Sequence, residues 1–263
     1  MRIALLVLLI ASNAFAAAPW EVLTQGAAEE NSTRRAMAIV ALGTIRTPQA
    51  DKLVLAAVGD KAIPVRLAAV SALAEQKSRA AIPKLKAALN DEAAEVSFSA
   101  AKALWDMGDR SGGDLLAEVL AGERKQSPGF VKKQVQEAKS TLHNRKKMVW
   151  MGAKEGAGFL FGPLGFGLGL AESLSQDGSA PTRALSAMLL GQYKDPVVRA
   201  ELVDGLEDKS PLVRLAVAKA LGGFPDRALI PKLEPLLDDK SEAVRYMAAA
   251  AIVRIDKGRS RGK

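Results

Sequence analysis

The sequence contains no cysteine and a single histidine, His143. Without cysteine there is no thiol catalysis, no cysteine-ligated zinc, no redox switch and no lipid attached through sulfur. Disulfides are excluded too, so the fold must rest on apolar burial, and 49% hydrophobic content supplies it. One histidine cannot build a two-histidine metal site. No nucleophile–base–acid arrangement can be placed around it either. The chain has no His-Glu pair. No cofactor and no catalytic residue is expected.

Long hydrophobic runs are also missing. The longest uncharged glycine-rich stretch, 156–171, is short for a transmembrane helix. The apolar run at residues 3–11 follows Arg2 and precedes Ala14-Phe15-Ala16. That is the pattern of a cleaved secretory signal peptide, here 1–16. The expected location is therefore outside the cytoplasm, periplasmic or secreted.

What is present is a period. Arginine falls at Arg35, Arg66, Arg183, Arg214 and Arg245. Leu42, Leu73, Leu104, Leu190, Leu221 and Ile252 run in phase with it. So do Glu29, Asp60, Asp91, Asp177, Asp208 and Asp239. A fourth lattice holds Leu23, Val54, Leu85, Leu116, Leu202 and Leu233. Neighbouring members lie 31 residues apart, except where an 86-residue step (117 in the arginine lattice, which skips Ser97) marks a 55-residue insertion that keeps the register. A fixed period of this size signifies stacked supersecondary units.

The unit at 60–90 shows what is stacked. Val65, Ala68, Ala69, Ala72 and Leu73 recur at helical spacing, so 64–74 reads as a first helix with Pro64 in its opening turn. Residues 76–78 form a turn, and a second helix carries Ile82, Leu85 and Leu89 on one face. Residues 20–28 read as a lone second helix and 241–255 as a lone first helix. The expectation is five helix pairs with a half-repeat at each end of the array, each end atypical because it must cover a bare face.

The aspartate, the Val-Arg six positions on, the small residues and leucine after it, and Ile-Pro-x-Leu in the second helix resemble HEAT repeats. In particular they resemble the phycocyanobilin-lyase-type HEAT-like family. The resemblance implies an all-α fold, an α-solenoid of HEAT-like helix pairs with a glycine-rich insertion. It also implies a protein-interaction surface. The lyase members bind a chromophore with a partner subunit, and no motif here supports that chemistry. The domain reading is 1–16 signal peptide, 17–122 repeats, 123–179 insertion, 180–256 repeats and 257–263 basic tail.

The repeated charges read as architecture. An aspartate in each inter-repeat turn can cap the next helix. An arginine one to two turns on can bond turn carbonyls or a neighbouring aspartate. Asp60, Arg66, Asp91, Asp208, Arg214, Asp239 and Arg245 are the expected ladder. Ser97 replaces the arginine of the third unit, which should lack that contact.

Net charge is +8, concentrated in two segments: 123–147 with net +6 and 254–263 with net +4. Residues 130–150 read as a basic helix carrying Arg145, Lys146 and Lys147. Phe159, Leu160, Phe161, Leu164, Phe166 and Leu168 follow in the glycine-rich stretch. Such a stretch exposed to water would be adhesive. Packing on the solenoid, another subunit, a partner or anionic lipid would each cover it. The spacing Gly156-x-Gly158-x-x-x-Gly162 lacks the strand a dinucleotide loop needs.

The expected function is that of an exported, non-catalytic scaffold holding another protein. The contact face is read as a concave one lined by second helices, with Arg79, Lys84, Lys86, Arg227, Lys232 and Glu234 as candidates. Two alternatives stand beside it. One is a peripheral membrane adaptor using the basic helix and the glycine-rich loop; the other is an accessory subunit of a lyase-type enzyme. Export argues against nucleic acid as a partner.

Overall fold

The computed structural model describes residues 18–121, 179–193 and 195–257, and among these every regular element is helical. The signal-peptide reading, the basic helix, His143, Asp177, the glycine-rich stretch and the tail beyond 257 lie outside the described residues.

First helices are α2 (Ser32–Gly43), α4 (Ile63–Gln76), α6 (Ala94–Asp106), α8 (Ala180–Leu190), α10 (Pro211–Leu221) and α12 (Glu242–Lys257). Second helices are α1 (Pro19–Ala28), α3 (Pro48–Ala57), α5 (Ile82–Ala88), α7 (Gly113–Ala121), α9 (Pro196–Asp204) and α11 (Ile230–Leu233), the last continuing as a 3₁₀ turn over Glu234–Asp238. Proline opens α1, α3, α4, α5, α8, α9, α10 and α11, where its missing amide costs no hydrogen bond. The three first helices of the N-terminal half, α2, α4 and α6, are followed by a left-handed residue at equivalent places in the period: Arg46 at φ 56, Lys77 at φ 50 and Gly108 at φ 82. Behind Lys77 and Gly108 the amides of Ser78 and Asp109 return to the carbonyls of Leu73 and Leu104.

The first helices form one layer, and its order is not the order of the chain. Helix α8 packs on α10, α10 on α12, α12 on α2, α2 on α4, and α4 on α6. The C-terminal half of the chain thus precedes the N-terminal half in the stack. The two half-repeats are not at the ends: α12, a first helix without a second, takes α1, a second helix without a first. They make one complete unit in the middle of the six units found among the described residues. The expectation of five pairs with a half-repeat at each end is corrected accordingly. Each half-repeat has an open flank, and the flanks match, so pairing them removes apolar surface that separate ends would leave in water.

Small residues set the spacing within the layer. A Cβ built on Gly43 would lie 2.5 Å from the Ala72 Cβ, and one on Gly191 would lie 2.6 Å from that of Ala220. Along the 31-residue register, the glycine position of α6 is Trp105 and the alanine position of α8 is Leu189. These are 44% and 51% exposed, because no further first helix packs there among the described residues. Among the described residues the ends of the stack therefore sit in mid-sequence. The core leucines agree: Leu23, Leu42, Leu73, Leu85, Leu104, Leu221 and Leu233 are fully buried. Leu116 and Leu190, in the two end units, are half-buried. Each fully buried leucine contributes roughly 1.5–3 kcal/mol.

The layer is strongly curved. Lys219 Nζ on α10 lies 3.0 Å from Glu75 Oε1 on α4, although α12 and α2 stand between these helices. A flat layer would separate α10 and α4 by about 27 Å at roughly 9 Å per helix. First helices therefore line the inside of the curve and second helices the outside. The expected concave face of second helices is reversed.

Candidate interaction surface

The ladder residues meet along the edge where each second helix turns into the next first helix. Arg35 Nε and Nη2 donate to Asp60 Oδ2 and Oδ1 at 2.9 and 2.8 Å, while its Nη1 donates to the carbonyls of Glu29 and Glu30. Arg214 repeats this on Asp239 at 2.7 and 2.9 Å and on the carbonyls of Asp208 and Lys209. Arg183 makes the same fork on Asp208. Arg66 Nη2 donates to Asp91 Oδ1 at 2.9 Å; its Nε lies 2.8 Å from Oδ2 but is misaligned for a hydrogen bond. Each aspartate also accepts an amide two residues on, from Ala62, Ala93, Ser210 or Ser241. One carboxylate thus caps its own helix and receives the arginine of the preceding unit, which ties unit to unit at fixed register.

Burial alone would raise the pKa of Asp60. The hydrogen bonds from Arg35 and Ala62 and the charges of Arg35 and Lys61 outweigh it, so the group ends below the ordinary carboxylate value. Asp239 is lowered in the same way, burial being outweighed by Arg214, the Ser241 amide and the charge of Arg245. On the opposite edge Asp109 is pulled to about 2 by the Ser111 hydroxyl and amide and by Lys86.

Two positions depart from the ladder. Ser97 is buried, and its hydroxyl donates to the Ala94 carbonyl. The position 25 residues on, where its ladder partner would stand, is 122, outside the described residues. Arg245 faces the junction between α12 and α2. It donates to the Asp239 carbonyl and pairs with Glu242 at 3.2 Å in its own helix. Arg34 completes the crossing, 2.9 Å from Glu242 and 4.0 Å from Glu29. The register places Glu29 where an aspartate would stand, and Asn31 caps α2 instead.

The six candidate contact residues are all exposed on the outer side. They do not form one patch. Arg79, Lys84 and Lys86 belong to the unit of α4 and α5, whereas Arg227, Lys232 and Glu234 belong to that of α10 and α11. Two complete units, those of α12 with α1 and of α2 with α3, lie between. Lys86 pairs with Asp109 at 3.1 Å and Arg227 with Asp256 at 2.8 Å. The other four make no ion pair among the described residues. Arg145, Lys146, Lys147 and the apolar positions from Phe159 to Leu168 lie outside the described residues.

Sequence reasoning missed the residues that join the two halves. A Cβ on Gly26 of α1 would stand 2.5 Å from the Tyr246 ring of α12 and 2.9 Å from Ala38 of α2. Lys257 donates to Gln49 at 2.8 Å and lies 5.2 Å above the Trp20 ring. The register holds a signal for this. Leu73 and Leu85 are twelve positions apart, and Ile252 and Leu23 would be twelve apart if one residue joined Lys257 to Ala18.

Among the described residues no group of His, Cys, Asp and Glu side chains could hold a metal, and no helix is long and apolar enough to cross a membrane. The structure of human deoxyhypusine hydroxylase in complex with glycerol is similar at 20% identity and a TM-score of 0.36, covering 91% of this chain and 97% of that one. No curated protein matches. The family of HEAT repeats matches at 20–105, 51–127 and 168–253, the greater part of the sequence. With its paired helices, the arginine–aspartate ladder and that span of matches, the chain belongs to the HEAT-repeat family.

Proposed function

We propose that the protein is an exported, non-catalytic scaffold that binds another protein through its solenoid surface. The observation that carries this is a set of charged side chains on outer second helices, Arg79, Lys84, Lys232 and Glu234, that are exposed and make no ion pair among the described residues. In a HEAT array the outer residues of second helices are free of packing constraint, so partner-free charge there is available for contact. The test crosslinks the protein in cells and identifies what it holds. Arg79→Glu with Lys84→Glu should reduce the crosslinked product at least tenfold with an unchanged melting curve. Undiminished crosslinking would remove this surface from consideration. Export is tested by sequencing the mature N-terminus, expected at Ala17 or Ala18.

A second reading is a peripheral membrane adaptor. Its support is sequence adjacency: Arg145, Lys146 and Lys147 just precede the uncharged stretch 156–171. It requires salt-sensitive flotation with anionic vesicles. The third, an accessory subunit of the phycocyanobilin-lyase type, rests on the resemblance of the repeats alone. It requires a bound chromophore giving the purified protein visible colour.

A further inference from the structure

The junction between α12 on one side and α1 and α2 on the other joins residues from opposite ends of the chain. Residues 179–257 finish on a first helix that lacks its second; residues 18–121 begin on a second helix that lacks its first. The two surfaces fit. Tyr246, 5% exposed, fills the notch that Gly26 and Ala38 leave, beside the fully buried Leu23. Charged contacts surround this centre: Arg34 with Glu242 at 2.9 Å, Lys257 with Gln49 at 2.8 Å, and Lys219 with Glu75 at 3.0 Å. An apolar centre inside a polar rim is the anatomy of an interface between separate proteins.

The covalent link lies elsewhere. Residues 122–178 leave from α7 at one end of the stack and return at α8 at the other. Helices α6 and α8 are five spacings apart, about 45 Å along the arc at roughly 9 Å per helix, and the straight gap is shorter because the layer is curved. A segment of this length can extend to roughly 190 Å. It permits closure within one chain without imposing it.

We infer that this junction is a self-recognition surface: the face of α1 and α2 binds α12 of the same sequence. In the intact chain the partner is its own C-terminal half. A second copy takes that place when the connection is too short for the chain's own α12 to arrive. The covalent link then supplies local concentration, and the interface supplies the attachment. Exchange of an identical element between protomers is an established route from monomer to dimer.

The first test uses the full chain with a single specific protease site inserted after Gly152. After complete cleavage at micromolar concentration, the two pieces should elute together at the intact mass, with unchanged helical signal. Separation of the pieces would overturn the inference. Gly26→Trp should make the cleaved pieces separate. Arg34→Glu, a milder change on the rim, should raise the dissociation constant of the cleaved pieces at least tenfold, and no shift in either variant would place the attachment elsewhere. The second test removes 122–178 and joins Ala121 directly to Ser179, so that their Cα atoms can be only about 3.8 Å apart. Its mass by light scattering should double, and adding Gly26→Trp should return it to the monomer value. A folded monomer of the shortened chain would sink the second-copy claim. The cleavage experiment decides the case alone if the shortened chain does not fold.

Discussion

Two junctions in the same stack are built from different materials. Between α10 and α12 the arginine of one unit grips the aspartate of the next through two aligned hydrogen bonds, and the side chains are 16% and 6% exposed. Between α12 and α2 that fork is absent. Arg245 turns to Glu242 within its own helix, and its side chain is 30% exposed. The weight there passes to Tyr246 in the notch over Gly26. Where the chain runs on from unit to unit, the turn delivers an aspartate in register, and a polar clamp needs little else. Where the chain is broken, the pieces must find each other from a distance. A large aromatic side chain in a shaped hollow gives binding energy that does not depend on a turn.

The sharpest way to break this contrast is Tyr246→Ala. Removing a large buried ring should cost about 3–5 kcal/mol in urea unfolding. A loss under about 1 kcal/mol would mean the aromatic does not carry the junction. Arg214→Ala comes next. It leaves Asp239 as a mostly buried carboxylate without its clamp, and about 2–4 kcal/mol is expected. Arg245→Ala should cost no more than about 1 kcal/mol, since its ion pair is partly exposed and lies within one helix. Equal losses from the two arginines would erase the distinction.

Acid titration separates the junctions by mechanism. Asp60 and Asp239 are held below their ordinary value of 3.8 in the folded protein. Their contribution to stability is therefore complete above that pH. It is lost as the pH falls below 3.8 through the lowered folded values. Stability measured from pH 6 down to pH 2 should drop steeply below about pH 4 in the wild type. The slope should be shallower in Arg214→Ala and unchanged in Tyr246→Ala, whose ladder is intact.

The smallest effect concerns the left-handed helix ends of the three units in the N-terminal half. Lys77 occupies at φ 50 the place that Gly108 occupies at φ 82. Lys77→Gly should leave stability within about 1 kcal/mol of the wild type, on the stabilising side, because relief of left-handed strain competes with the greater freedom of glycine in the unfolded chain. A fall in melting temperature would show that the lysine side chain has a role beyond the turn.

Much of the fold was legible because its cause is local. The leucine lattices and the proline at helix starts mark helices over one or two turns, and the observed α4, α1 and α12 lie within two residues of the reading. The arginine and aspartate positions also stood out, since a repeated turn needs the same cap each time. The contact face was less legible. Periodicity places Arg79 and Arg227 on equivalent sites but does not say which layer is inside the curve. Lys219 and Glu75 decide that, and no pattern links residues on α10 and α4. Ser97 could be seen as an exception, but that its hydroxyl turns back to the Ala94 carbonyl is visible only in three dimensions.

The sequence by itself determined the repeating unit, because hydrophobic period, turn chemistry and capping act over a few residues and recur every 31. It also showed two unpaired halves. Only the tertiary structure decided that these halves complete one another and that the stack runs from α8 through α12 to α6. That choice depends on the fit of surfaces more than 200 residues apart, such as Lys257 and Gln49, separated by 208. Shape and burial select such a pairing, and local rules carry no information about it.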